Sequence, residues 1–464
     1  METSENRVLT PGIPFLGALA FAVGTAIGWG SLVVTSKTYL AQAGPAGSVA
    51  GLVIGALVML VIARNYSYLM QIYPDSGGVF TYTTKIFGYD HGFLAAWFLI
   101  LTYIAILWAN ASSIPLFTRY FLGGALEIGK LYTLFGYDVY LLESVVTILV
   151  IILVGFLLVR SKKASIYAMI GLMFVFTAGI VIVSLAALFS NKGGLAPSFT
   201  PDASVIKQIF NIAVISPWAF IGFESISHET EEFSFKKTGI FKLFVIALSI
   251  TTALYILVIL LSVTAYPERY GSWLEYIRDI GNLSGIEALP PFYAAGYYLG
   301  DMGIWILMAS LMALVITSLI GNATALSRLF YSMAKADLLP RRFAVINKNG
   351  TPGNAIWLIA VLSVAILFVG RTAIGWIVDV TTICAVLIYG YVSVAARSIA
   401  INREDKIEKI TGALGFILMV LFGMYMLLPN LVTTGSMDRE TYFLFIVWSI
   451  LGFLYFRYII GHDK

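Results

Sequence analysis

Residues 24–31 read Gly-Thr-Ala-Ile-Gly-Trp-Gly-Ser inside an otherwise apolar run. Each glycine in a helix interior costs about 0.5–1 kcal/mol relative to alanine. Three of them mark a place where the helix either packs very closely against a neighbour or unwinds. Unwinding frees N–H groups at the start of the following half-helix, and these, backed by the helix dipole, attract a carboxylate. The freed carbonyls suit an ammonium group or a small cation. A second interrupted stretch, Ile-Ser-Pro-Trp-Ala-Phe-Ile-Gly-Phe-Glu-Ser, occupies 215–225. Pro217 removes a backbone donor and crowds the preceding turn, Gly222 follows five residues on, and Glu224 is ionisable within the apolar run. Together the two stretches offer what a zwitterion needs. Small-residue packing, which Gly24 and Gly28 satisfy by spacing, is the alternative for the first.

Other polar residues at membrane depth are few. Thr317 and Ser318 carry hydroxyls of the kind that complete a sodium site with first-helix carbonyls, or that bond to a helix carbonyl one turn back. Asp379 is a second carboxyl in an apolar segment, near its outer end, and suits a gate or a loop contact. His228, Glu229, Glu231 and Glu232 crowd the inner end of the second interrupted stretch. His228 and Glu232 would share a face of an α-helix, yet the chain has only three histidines. A solvated inner gate pairing with Lys236, Lys237 or Arg64 is expected there rather than a metal site. No activated serine or His/acid constellation suggests an enzyme, and no cofactor is implied. The single cysteine, Cys384, lies in an apolar stretch and organises neither disulfide nor metal.

The elements that must position these groups are membrane helices. Mean hydropathy is +0.89 and charged residues make up 12% of the chain, well below the roughly 25% of soluble domains. The chain divides into twelve apolar segments of spanning length. Most of the 29 Lys and Arg fall on loops that are cytoplasmic if the N-terminus is inside, such as Arg160/Lys162/Lys163, Arg341/Arg342 and Arg403/Lys406/Lys409, while Glu268, Glu275, Asp279 and Glu287 fall outside. By the positive-inside rule both termini are cytoplasmic. The net charge of +4 therefore reports orientation, with a lipid bilayer as partner and not nucleic acid. The expected organisation is a cytoplasmic tail at 1–11, five-helix repeats at 12–190 and 206–398, and two peripheral helices at 410–460. Each interrupted stretch lies in the opening span of a repeat, where inverted-repeat transporters place discontinuous helices. The outer loop at 267–298 contains SWLEYIRDIGNL, whose spacing predicts a short interfacial helix.

Four stretches resemble the amino acid-polyamine-organocation (APC) transporters, over essentially the whole chain: GTAIGWGSLV (24–33), YPDSGGVFTYTTKIFG (73–88), WAFIGFES (218–225) and SRLFYSMAKADLLPRRFAVINKNGTP (327–352). The resemblance implies an all-α membrane protein of LeuT-type fold, a 5+5 inverted repeat with broken first and sixth helices and about twelve transmembrane helices. It implies secondary active transport of amino acids across the plasma membrane by alternating access, as a monomer or homodimer. By the same resemblance the backbone of Thr25, Ala26, Ile27, Gly28, Trp29, Gly30 and Ser31 takes the substrate carboxylate. Trp218 is an aromatic gate, Phe220, Ile221 and Gly222 lie beside the substrate, Glu224 joins a buried polar network, and Asn110 is substrate-proximal.

Two departures stand out. Trp29 replaces a small residue of the motif, and either fills part of the site or packs on a neighbouring helix. The lysine that serves some proton-coupled members has no counterpart, the matching position falling near Met173. Exchange, Na+ coupling through Thr317 and Ser318, and H+ coupling through Glu224 remain open. No acid in the assigned pocket clearly serves a cationic side chain, so a neutral amino acid ranks above a basic one. A polyamine or other organic amine is the alternative substrate, and a non-transporting sensor the alternative class.

Overall fold

A computed structural model describes residues 8–191, 194–428 and 439–462, apart from the side chains of Ser31, Leu32 and His462. Most of the 1–11 tail lies outside the described residues.

The first half begins with α1 (Phe15–Ala26), buried from Gly17 onward; a helix apolar on all sides belongs at the centre of a bundle. Its chain unwinds at Ile27, with φ −92° and ψ 125°, and resumes as α2 (Trp29–Val34) and a π-helical turn at Thr35–Tyr39. The long helix α3 (Leu40–Ile72) leaves helical geometry at Gly44, φ 65° and ψ 178°, just before Pro45. A Cβ there would lie 2.7 Å from the Ser198 carbonyl oxygen. The chain continues through α4 (Val79–Phe87), α5 (Tyr89–Ala111) and α6 (Ser113–Leu122).

A hairpin departs from the all-helical expectation: β1 (Lys130–Leu134) pairs antiparallel with β2 (Tyr137–Tyr140). The turning residues Phe135 and Gly136 both have positive φ, 50° and 76°, the geometry that suits the twist of a two-residue hairpin. Lys130 Nζ sits 2.7 Å from Asp138 and holds that carboxyl below its ordinary range. The half closes with α7 (Leu141–Arg160) and α8 (Lys162–Ser190).

The second half opens with α9 (Val205–Ile215), then two 3-10 helices, Ser216–Phe220 and Phe223–Glu232. It continues with α10 (Ile240–Leu261), the predicted loop helix α11 (Trp273–Asp279) and α12 (Pro290–Lys335). The segment expected from 299 starts earlier because Pro290 and Pro291 suit a helix's first turn, and it is interrupted at Gly300, φ 58°. Then come α13 (Gly353–Leu367), α14 (Arg371–Arg403), α15 (Lys406–Leu427) and α16 (Arg439–His462). Among the described residues ten helices are long and apolar enough to span a membrane, and two shorter apolar ones are α1 and α13. The centre is α1 against α8, α10 and α12, with the Phe223–Glu232 helix lying on α1 and α12.

Candidate functional site

The two breaks meet. Gly222 has φ 110°, and a Cβ on it would lie 2.8 Å from the Thr25 carbonyl oxygen. Only glycine allows both that conformation and that approach. Ahead of it Ile221 is non-helical, φ −56° and ψ 131°, and behind it Glu224 Oε2 accepts from the Gly222 N–H at 2.9 Å. The same oxygen accepts from the Tyr389 hydroxyl of α14 at 2.9 Å. Glu224 is buried, and these donors provide the polar network expected around it.

The first break is held from outside its own segment. Asn110 Oδ1 accepts from the Trp29 N–H at 3.0 Å, and its amide donates to Ile106 O and to Ser318 Oγ, 2.9 and 3.0 Å. Asn110 presses on Gly28, where a Cβ would lie 2.6 Å from Oδ1. The Thr25 hydroxyl donates to Phe21 O at 2.6 Å and lies against Gly321 of α12, while Gly24 faces Thr317, where a Cβ would lie 2.8 Å from the Thr317 Cβ. Thr317 donates to Leu314 O one turn back, 2.9 Å, and Ser318 also receives the Asn322 amide, 3.2 Å.

The glycines therefore divide between the two readings of the stretch. Gly24 admits α12, Gly28 admits Asn110, and Gly30 faces Trp218, where a Cβ would lie 3.5 Å from Cη2. Ala26 and Ile27 are buried within the break. Ser31 lies in α2, its side chain outside the described residues. Trp29 stacks on Tyr120, with centroids 6.0 Å apart, and lines a small cavity with Pro290 and Phe292.

A cavity of about 310 Å³ lies between α2, α9, α14 and α15. Trp218, Ile221, Tyr39, Asp379, Tyr389 and Tyr425 are on its wall. Phe220 is fully buried, edge-on to Tyr255 at 6.0 Å, and backs the break. Trp218 and Ile221 thus share one cavity, which Glu224 reaches through Tyr389, while Asn110, Thr317 and Ser318 lie on the far side of α1's break. Tyr389 and Tyr425 escaped the sequence reading, since nothing in an apolar helix marks which tyrosine turns inward.

The inner end corrects an expectation. His228, Glu229 and Glu232 are fully buried and do not form a solvated gate. Glu232 pairs with Lys162 and Arg328, each at 2.5 Å, and Arg64 pairs with Glu408 instead. The Glu232 carbonyl accepts from the Gly12 and Ile13 N–H groups, 2.8 and 2.9 Å, and Ser234 N–H donates to Ile13 O, 2.9 Å. Of the residues expected to face water, Glu231 alone is half-exposed, Glu232 is closed off by the N-terminal segment, and His228 packs against Ser76 and Tyr103.

Two interrupted helices whose breaks touch at the centre of a helical bundle define a multi-pass membrane protein of the broken-helix transporter class. The amino acid permease family profile matches residues 13–456, and the chain belongs to that family. It is 23% identical to the branched-chain amino acid permease BcaP of Bacillus subtilis, covering 100% of this chain and 96% of the relative. It is 25% identical to an arginine/ornithine antiporter of Pseudomonas aeruginosa, covering 74% and 68%. These relatives are transporters. A solved Na+-coupled sialic acid symporter, substrate-bound and outward-open, superposes with a TM-score of 0.57 at 13% identity over 91% of this chain and 92% of that one. That likeness is one of fold.

Proposed function

We propose that this chain is a secondary active transporter that moves neutral amino acids across the plasma membrane by alternating access, exchanging one solute for another. The observation that carries the reading is the contact of the two breaks, Gly222 on the Thr25 carbonyl, beside the cavity that Trp218 and Ile221 line. In this reading the protein has twelve spans and both termini in the cytoplasm. The broken first and sixth spans open two inverted five-span repeats, and α15 and α16 are peripheral. The backbone of Thr25–Ser31 takes the substrate carboxylate, Trp218 closes over it, Ile221 and Gly222 flank it, and Asn110 sets the shape of the break. The low polarity of the cavity wall, where Val34, Val214, Ile215 and Phe422 also lie, favours an apolar side chain, and the likeness to branched-chain permeases agrees.

A second reading, an organic amine or basic amino acid, draws on Asp379 beside Trp218 on the same wall and on the likeness to an arginine/ornithine antiporter. A cation there would have a carboxylate and a π-face. Na+ coupling through Thr317 and Ser318, or H+ coupling through Glu224, replaces exchange if a gradient is required.

A thermal-shift screen of amino acids and amines separates the substrate readings. A ligand at 100 times its Kd stabilises by about 2.7 kcal/mol. Leucine, isoleucine and valine are expected to shift the protein; a response only to amines lacking a carboxylate overturns the carboxylate assignment. Uptake into liposomes with and without internal amino acid, under Na+ or pH gradients, tests exchange, which fails if empty liposomes accumulate solute only under a gradient.

A further inference from the structure

Three buried charged groups and the half-buried Lys162 of α8 meet at the inner end of the second break: Glu229 and Glu232 on the 3-10 helix and Arg328 on α12. As two acids and two bases they balance, yet their contacts do not. Glu232 takes both cations, whereas neither oxygen of the fully buried Glu229 receives a hydrogen bond. A buried carboxylate without a donor is costly. Its electrostatic neighbours are Arg328, Glu232 and Lys162, with Tyr103 of α5 also within range. His228 is turned away, its Nδ1 3.1 Å from Ser76 O.

The helix type explains why these two acids belong together. With three residues per turn, side chains at i and i+3 lie directly above one another. Phe223–Glu232 is a 3-10 helix, so Glu229 stands one turn, about 6 Å, above Glu232 on the same face. An α-helix would instead have put His228 in line with Glu232, as the sequence led one to expect. Arg328 is anchored on α12, its second nitrogen donating to Thr324 O at 3.3 Å, and its charge acts on both acids.

We infer that Glu229 is the second acceptor of Arg328, a positioning residue that receives the guanidinium when the inner gate opens. The inference rests on the alternating-access reading. With the gate shut, Lys162 holds the Thr10 carbonyl at 2.6 Å together with Glu232, and the Glu232 carbonyl holds Gly12 and Ile13. Parting the N-terminal segment from this end loosens Glu232 on its Lys162 side. Arg328, on a long stem, then moves one turn along the 3-10 helix to Glu229, and the buried cation is never left without a carboxylate. The unpartnered Glu229 of the shut state is the vacant half of a two-position switch.

Hydrogen–deuterium exchange of the full chain in lipid nanodiscs, without substrate, reads the inner contacts at Gly12, Ile13 and Ser234 directly. Glu229→Gln is expected to slow exchange there several-fold relative to wild type, because the open state loses its acceptor, while leaving the thermal midpoint unchanged or higher. Glu232→Gln is expected to speed exchange. The double variant is expected to lose more thermal stability than the two single changes summed, because Arg328 is left with no acid. Unchanged exchange in Glu229→Gln, or strict additivity in the cycle, overturns the switch. Should the double variant not fold, the single Glu229→Gln result decides alone. No substrate enters these measurements, so a failure of the amino acid reading appears separately, in the thermal-shift and liposome assays.

Discussion

The two breaks touch, Gly222 against the Thr25 carbonyl, and are stabilised in opposite ways. The sixth is capped from within its own segment, by Glu224 two residues after Gly222, with Tyr389 as outside support. At the first, Asn110, 81 positions further along the chain than Trp29, accepts from the Trp29 N–H. A self-capped break keeps its shape wherever its helix moves. A break capped from α5 and tied through Ser318 to α12 changes shape when those helices move, which makes it the natural place to sense bundle rearrangement. A similar contrast separates two regions of the bundle: a cavity lies between α2, α9, α14 and α15, while the Glu232 end is closed by ion pairs and by the strap at Gly12 and Ile13.

Gly222→Ala probes the self-capped break hardest. A non-glycine residue in left-handed geometry costs about 1–2 kcal/mol, and the added Cβ must also displace the Thr25 carbonyl. A large fall in thermal midpoint with loss of transport is expected, and retained stability would show that the breaks do not need to touch. Asn110→Leu leaves the buried Trp29 amide without its acceptor and Ser318 with the Asn322 amide alone, which should cost about 1–3 kcal/mol in a detergent unfolding assay. Asn110→Asp, which keeps the acceptor, should recover part of it.

Tyr389→Phe removes one of two donors from Glu224 and is expected to cost about 1 kcal/mol, less than Asn110→Leu because the Gly222 N–H remains. An equal or larger cost would mean that the sixth break also depends on its neighbours. Gly30→Ala is expected to be nearly silent in stability. Its Cβ meets only ordinary contact with Trp218, and the loss of unfolded-state freedom offsets it by about 0.4–1 kcal/mol. Gly28→Ala, driven into Asn110, should be clearly worse.

The smallest effect belongs to the outer loop. Arg269 holds the Glu287 carboxyl below its ordinary range, and the Tyr270 hydroxyl does the same for Asp279. Groups with depressed folded values stabilise above their ordinary pKa, and the contribution disappears as pH falls through the folded value. Limited proteolysis between 267 and 289 should therefore accelerate on acidification and become less pH-dependent in Arg269→Ala. The Arg269–Glu287 pair is exposed and the Tyr270–Asp279 pair only partly buried, so the change is modest.

What was legible came from chemistry that is local in the chain. Glycines and Pro217 announced both breaks because backbone permissiveness is a property of single residues. The helix Trp273–Asp279 followed from local periodicity. The hairpin at 130–140 was missed among the apolar segments because only one of its two turning residues, Gly136, favours positive φ, while Phe135 takes that geometry with no sign of it in its residue type. The inner acids were misread as solvated because a run of charged residues carries no sign of burial; that depends on how the segment packs on α1 and α12, as does its 3-10 rather than α-helical backbone.

The sequence by itself determined that the chain crosses a membrane many times, where its helices are interrupted, and which family motifs it carries; hydropathy and backbone permissiveness add up residue by residue. Only the tertiary structure decided that the breaks touch through Gly222 and Thr25, that Asn110 serves the first and Tyr389 supports Glu224 at the second, that Trp29 stacks on Tyr120, and that Glu232 holds two cations while Glu229 holds none. These are contacts between residues tens to hundreds of positions apart. Their geometry depends on how the helices pack against one another, and no single segment contains that information.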